Sequence, residues 1–434
     1  MIKRLFPILL VGLQLLYGPR ISAREYRFSQ IEKIPNLSFL SYVFTGLDVL
    51  EQMDFAPLQG KTIAILCNQT SVDRNGRHVL DLIAKQPGIK VKTVFAPEFG
   101  LFGDADPNLK LSGKKSIEPL TGAYIVDLFG RYILPPDWSL SGVDLILIDI
   151  QDTGVRYSTF ITTITKIIES ASEWDIPLLV LDRPNPLRGD IVDGPIVRPA
   201  YQSFEGYHLV PIRHGLTIGE YVLMVNEMGW AKDLARVDLT IIPMANWRRR
   251  QWYDETKLPW VPPAPDIASD EILLAYTGMA LLNGTNLNVG HGTDKPYLRV
   301  GAPWLVGQVL FEAISQYRLP GVAFKIIRYK PHLRANMKTV PLYYNEWCGG
   351  LELEITDRNK FNPLATATTI ILLTRQLYPR EFQWRGDGYV DKLFGHDLLR
   401  TFAAQGKPPD YLPPLWFHDV LRFNDFRQRF LLYE

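Results

Sequence analysis

Short runs of β-branched and aliphatic residues recur through the first half of the chain. They are Lys61–Cys67, Lys90–Ala96, Ala123–Phe129, Val143–Ile148, Pro177–Leu181 and Val237–Met244. Between them, His78–Lys85, Phe160–Glu173 and Thr217–Met228 place apolar residues three and four apart, as on one face of a helix. Continuous apolar strands alternating with amphipathic helices predict a mostly parallel sheet covered on both faces. A Rossmann-like α/β domain over 36–250 is the expected unit. Pro259, Pro262, Pro263 and Pro265 then crowd one stretch that neither helix nor central strand tolerates, which marks a junction. Beyond it the pattern weakens but persists. Helices are expected at Ala268–Leu282, Pro303–Gln316, Pro363–Leu377 and Gly388–Gln405, with strands near Ala323–Tyr329 and Leu351–Ile355. These make a second α/β domain over 251–434.

The first residues have a different pattern. Lys3 and Arg4 precede an apolar stretch from Leu5 to Leu16, and Ile21-Ser22-Ala23 ends in small residues. This is the pattern of a secretory signal over 1–23; an N-terminal anchor is the competing reading, and the stretch is short for a span. The expected product is exported, periplasmic or extracellular, and soluble with no stable membrane anchor.

The 434 residues carry 47 Lys+Arg against 46 Asp+Glu, and removal of Lys3, Arg4 and Arg20 would leave a faintly acidic protein. No basic field exists to draw the chain onto nucleic acid, which is excluded as a partner. Cys67 closes an apolar run and Cys348 precedes Gly349-Gly350, so two buried free thiols are expected. No CxxC, HExxH or histidine cluster is present, so a structural or catalytic zinc site has no support in the sequence.

Chemistry concentrates where the predicted strands end. Asn68-Gln69-Thr70-Ser71 follows the first run, and Pro97-Glu98-Phe99-Gly100 the second, leading to Asp104 and Asp106. Asp149 to Tyr157 follows the fourth, and Asp182-Arg183-Pro184-Asn185 the fifth. The carboxyl ends of parallel strands share one rim, where ligands bind. A Gly-x-Gly-x-x-Gly loop is absent, and Gly113-Lys114-Lys115-Ser116 lacks the hydroxyl directly after its first lysine. Carboxylates and amides beside arginines and aromatics suit a polyhydroxylated ligand. Glycosidic hydrolysis uses two carboxyl groups. Glu98, between proline and an aromatic ring, is the candidate acid because burial there would raise its pKa. Asp149 and Asp152 are the candidate partners, whereas Asp182 suits a helix cap equally well.

Taken together, the strings Cys67–Ser71, Pro97–Asp106, Asp149–Phe160, Asp182–Pro195, Pro211–Glu220, Asn246–Pro265, Asn283–Gly301 and Cys348–Arg358 resemble the NamZ-like exo-β-N-acetylmuramidases. The resemblance implies a Rossmann-like domain, a second α/β domain and an active site in the cleft between them. It implies release of N-acetylmuramic acid from the non-reducing ends of peptidoglycan fragments, without metal or organic cofactor. Glu98 falls on the family's candidate acid. Arg156, Arg183 and Arg213 lie in matching strings and are candidates for the lactyl carboxylate; Asn68, Asp104, Asp106, Tyr157, Asn185, His214, Asn286, His291 and Thr293 are the other candidate contacts. Four motif positions depart from the family pattern. Phe99 stands where His is usual, Phe102 where Arg is, Asn283 where Glu is and His291 where Arg is. Two alternatives therefore stand beside hydrolysis. One is a catalytically weak chain that binds peptidoglycan fragments; the other is a nucleotide- or sugar-phosphate-binding Rossmann-like protein. The remaining aromatic and basic strings have plainer readings. Trp138, Trp260 and Trp304 are expected in the core, and Arg248-Arg249-Arg250 in a solvated loop.

Overall fold

The computed structural model describes residues 37, 41–103, 116–130, 132–334, 337 and 339–434. Residues 1–23, read above as a signal, and Asp104, Asp106 and Gly113–Lys115 lie outside the described residues.

Six parallel strands and one short antiparallel edge strand form the first sheet among the described residues. They are β1 (Thr62–Leu66), β2 (Lys90–Ala96), β3 (Ser116–Ile117), β4 (Tyr124–Asp127), β5 (Leu145–Ile148), β6 (Leu178–Leu181) and β7 (Leu239–Ile242), in the order β3-β4-β2-β1-β5-β6-β7. β5 and β6 are buried along their whole length, which explains why their sequences run apolar without alternation. The chain steps from β1 outward to β2 and β4, then returns to place β5 on the other side of β1. That reversal opens a crevice above the strand ends.

Five helices accompany the sheet: α1 (Gly46–Gln52), α2 (Val79–Ile83), α3 (Asp137–Leu140), α4 (Phe160–Glu173) and α5 (Ile218–Met228). α5 starts with a Thr217–Glu220 capping box and ends at Gly229 in the left-handed region, as its sequence dictates.

A second, three-stranded antiparallel sheet follows, with β10 (Cys348–Ile355) between β8 (Arg299–Ala302) and β9 (Val322–Tyr329). Around it lie α6 (Asp270–Met279), α7 (Gly307–Ser315), α8 (Pro363–Leu377), α9 (Tyr389–Phe394), α10 (Leu398–Ala404) and α11 (Phe417–Arg427). α6 crosses the start of α8 so closely that a Cβ on Gly278 would lie 1.9 Å from the Pro363 carbonyl oxygen. The single helix expected over Gly388–Gln405 is two, α9 and α10. Gly395 breaks it with φ +83°, and its backbone lies tight against Val197 and the Arg156 guanidinium.

The chain end returns to the first sheet. Phe423 and Phe430 enter the core of the first domain, and the Tyr433 hydroxyl donates to Asp182 Oδ2 at 2.5 Å. Asp182 is structural: its other oxygen accepts the Gly219 N–H at 2.7 Å at the start of α5. Burial pushes its carboxyl up to about 7. Between pH ~4, its unfolded value, and ~7, the folded chain holds a proton that the unfolded chain has released. Stability from this site is therefore greatest at low pH and falls as pH rises through that window. Urea midpoints at pH 5 and 7.5 should show the fall, and Asp182→Asn should flatten it.

Cys67 and Cys348 are both buried and unpaired, as expected. Burial raises both thiols, Cys348 to about 12, so neither is a nucleophile at neutral pH.

Candidate active site

A cavity of about 820 Å³ lies between the two sheets' domains. Its first-domain wall is the end of β2 (Glu98, Phe99), Phe129 after β4, and Thr153 and Tyr157–Phe160 around the start of α4. The opposite wall comes from the proline-rich junction, the Asn283–His291 segment and the loop that leads into α9. Gln69, after β1, braces the junction by donating to the Pro262 carbonyl at 2.9 Å.

Glu98 is half-buried in this wall. Thr159 sits at the N-cap of α4, yet its hydroxyl makes no cap; it donates instead to Glu98 Oε2 at 2.7 Å. The backbone beneath is a turn closed by a Gly100 N–H to Pro97 C=O bond of 3.0 Å. Phe99 takes φ +69° in that turn, a conformation costly for a residue with a Cβ. The strained turn aims both Glu98 and the Phe99 ring into the cavity. Tyr276, Tyr297 and Tyr389 also line it. Burial above all, with the Glu98 carboxylate a smaller contributor, raises all three phenols, so they remain hydrogen-bond donors at neutral pH.

Four of the expected residues, Glu98, Tyr157, Asn286 and His291, meet in this cavity. Asn286 uses its amide to hold the far wall, donating to the Glu381 carbonyl at 2.8 Å and accepting from the Gln383 N–H at 2.8 Å. His291 lies between Asp266 Oδ2 at 2.8 Å and Asn283 Oδ1 at 3.3 Å.

The other expected residues within the described chain serve the scaffold. Asp149 is buried in a two-pronged pair with Arg183, at 2.6 and 2.8 Å, so neither reaches the cavity. Asp152 accepts the Gly154 N–H at 2.8 Å and lies 3.6 Å from His214 Nε2, both groups buried. The Arg156 guanidinium donates to the carbonyls of Pro195, Val210 and Leu393 at 2.7 to 2.8 Å, tying the two domains together. Arg213 donates to the Leu187 carbonyl, and burial lowers both guanidiniums to about 10. Asn68 holds Thr70 through bonds of 2.6 and 2.9 Å, and Asn185 binds the Leu187 N–H and the Leu216 carbonyl. Thr293 bonds the Gly290 carbonyl at 2.7 Å. These assignments correct the expectation that strand-end acids and arginines face the ligand; loops rich in turns need internal partners for their backbone groups.

Sequence reasoning missed Glu205, Asp266, Trp384, Arg385 and Tyr389, all of which line the cavity. Trp138, Trp260 and Trp304 pack against Tyr124, Tyr253 and Tyr378 as core aromatics. Arg249 departs from the solvated loop expected of it, being buried against Glu220 at 2.6 Å. An acidic trio, Asp48, Glu51 and Asp73, lies outside the cavity with Arg77 bridging two of its members.

Residues 63–271 match the family described as exo-beta-N-acetylmuramidase NamZ, N-terminal, and residues 274–433 match its C-terminal counterpart. The chain belongs to the NamZ family. It is 34% identical over 391 residues to the peptidoglycan beta-N-acetylmuramidase NamZ of Bacillus subtilis, covering 90% of this chain and 91% of that protein. Two crystal structures of DUF1343 family proteins from Bacteroides fragilis share the fold. One has a TM-score of 0.82 at 26% identity, covering 91% of this chain and all of the other. The second has a TM-score of 0.73 at 28% identity, covering 90% and 99%. The departures from the NamZ pattern gather in one place. Phe99, Asn283 and His291 all line the cavity, and the last two touch each other, while Phe102 is exposed.

Proposed function

We propose that this chain is an exported exo-β-N-acetylmuramidase that removes N-acetylmuramic acid from the non-reducing end of peptidoglycan fragments, with Glu98 protonating the leaving oxygen. The observation that carries the assignment of the acid is Glu98 at the cavity wall, oriented by Thr159 at 2.7 Å. The aromatic lining, with Trp384 and Tyr276, Tyr297 and Tyr389, supplies flat faces and phenolic donors suited to a sugar ring. Two further carboxylates line the described cavity, Glu205 and Asp266. Asp266 is taken up by His291, so Glu205 is the better partner for Glu98, as base or nucleophile. Export is the reading supported by the charged-then-apolar pattern over 1–23 and by a substrate that lies outside the cytoplasmic membrane.

The test offers the purified protein a chromogenic β-N-acetylmuraminide, the matching β-N-acetylglucosaminide and a muramic-terminated disaccharide. Release of N-acetylmuramic acid from the muramic compounds supports the reading. Binding without turnover would favour a fragment-binding protein, a reading to which Phe99 lends weight because its ring offers Glu98 no proton partner.

A further inference from the structure

A muramic residue differs from glucosamine by a lactyl carboxylate, and an anion inside a partly apolar cavity needs a cation. Arg156, Arg183 and Arg213 are buried and held by protein carbonyls or by Asp149. Among the described residues lining the cavity, the basic side chains are His291 and Arg385. Both ring nitrogens of His291 already face protein oxygens, at 2.8 and 3.3 Å, so it has no N–H left for a ligand.

Arg385 is arranged differently. It lies on the loop between α8 and α9 with its guanidinium carbon 4.2 Å from the centre of the Tyr389 ring. Stacking on that ring restricts the guanidinium plane and presents its edges. Nη2 donates to Asp387 Oδ2 at 2.6 Å. A guanidinium carries five N–H donors in a fork, so one such bond leaves an edge able to grip a carboxylate with two parallel bonds. Both members of the Arg385–Asp387 pair are about half exposed (49% and 46%), so loosening it costs little.

We propose that Arg385 is the specificity-determining residue that binds the carboxylate of the substrate's amino sugar, so that the cavity favours a carboxylate-bearing sugar over its uncharged counterpart. The proposal rests on the muramidase reading above and names the group behind its substrate preference. Tyr389 connects this cation to the chemistry. Its phenol is pushed up to about 12, by burial first and Glu205 next, with Arg385 opposing and Glu98 adding to the rise. Arg385, Tyr389, Glu98 and Glu205 all line the one cavity, so the proposed anchor and both carboxylates face the same space.

The experiment measures binding of N-acetylmuramic acid and of its methyl ester, by calorimetry or as inhibitors of muraminide hydrolysis. The proteins are the unmodified chain, Arg385→Gln and Arg385→Lys. The unmodified chain should bind the acid about tenfold more tightly than the ester, as expected for one charge-assisted, two-pronged contact. Arg385→Gln should bring the two within about twofold and raise KM for the muraminide with little change in kcat. Arg385→Lys should fall between, because a point charge replaces a fork. An unaltered preference in Arg385→Gln at unchanged Tm would overturn the proposal, as would a hydrolysing unmodified chain that does not distinguish acid from ester. In both cases muraminide hydrolysis persists and the muramidase reading stands. An unmodified chain that neither binds nor hydrolyses muramic compounds overturns both.

Discussion

Glu98→Gln should lower kcat on a muramic-terminated disaccharide by about 10²–10⁴-fold, the range of a lost general acid. KM should change by a few fold at most, because Gln keeps the side chain's shape and can still accept from the Thr159 hydroxyl. The loss should shrink sharply on a nitrophenyl muraminide, whose leaving group departs without a proton. Glu205→Gln should behave otherwise: a base or nucleophile is needed whatever the leaving group, so both substrates stay slow. Steady-state rates on the two substrates separate the roles. Equal rates for the unmodified protein and Glu98→Gln on the disaccharide would remove Glu98 from the chemistry.

Legibility followed locality. β2 and α4 have the same limits in the structure as in the apolar pattern, because a short apolar run that ends buried and an amphipathic helix each leave a complete local trace. β3 has only two residues and β8 reads Arg299-Val300-Gly301-Ala302 with no apolar run, and both exist because a partner strand holds them. The chain end was illegible for a related reason: Phe423 and Phe430 look like scattered aromatics until the first-domain core is there to receive them. The break at Gly395 depends on Val197 and Arg156, some 200 residues earlier. At the site, the place of Glu98 on the cavity wall was legible because it follows directly on a strand end at the sheet's rim. The arginines misled because type alone does not say which way a guanidinium turns. Arg156 reaches the Leu393 carbonyl 237 positions away, and no local string encodes that. Trp384, Arg385 and Tyr389 carry no motif at all; their one signal is a run of aromatic and basic residues around Gly386 and Gly388, too common to single out.

Asp149 offers the sharpest contrast between a catalytic and a structural acid. Its side chain is fully buried and that of Arg183 is 3% exposed, with two bonds of 2.6 and 2.8 Å joining them. Arg183 also donates to the Val72 carbonyl at 3.0 Å, and the Asp149 carbonyl accepts from Ser71, so the pair fastens the loop after β1 to the ends of β5 and β6. Removing one member leaves the other charge buried without its partner, which costs about 3–5 kcal/mol. Asp149→Ala should therefore lower the urea midpoint and Tm markedly, while kcat, measured at a temperature where the variant is folded, changes by less than about tenfold, well short of a lost acid or base. Arg183→Met should destabilise similarly. The double variant Asp149→Leu/Arg183→Met should recover much of the loss, because it removes both desolvated charges together, and a double-mutant cycle would give the coupling directly. A catalytic Asp149 would show the reverse: near-normal stability, a collapse of kcat, and no recovery when Arg183 is also replaced.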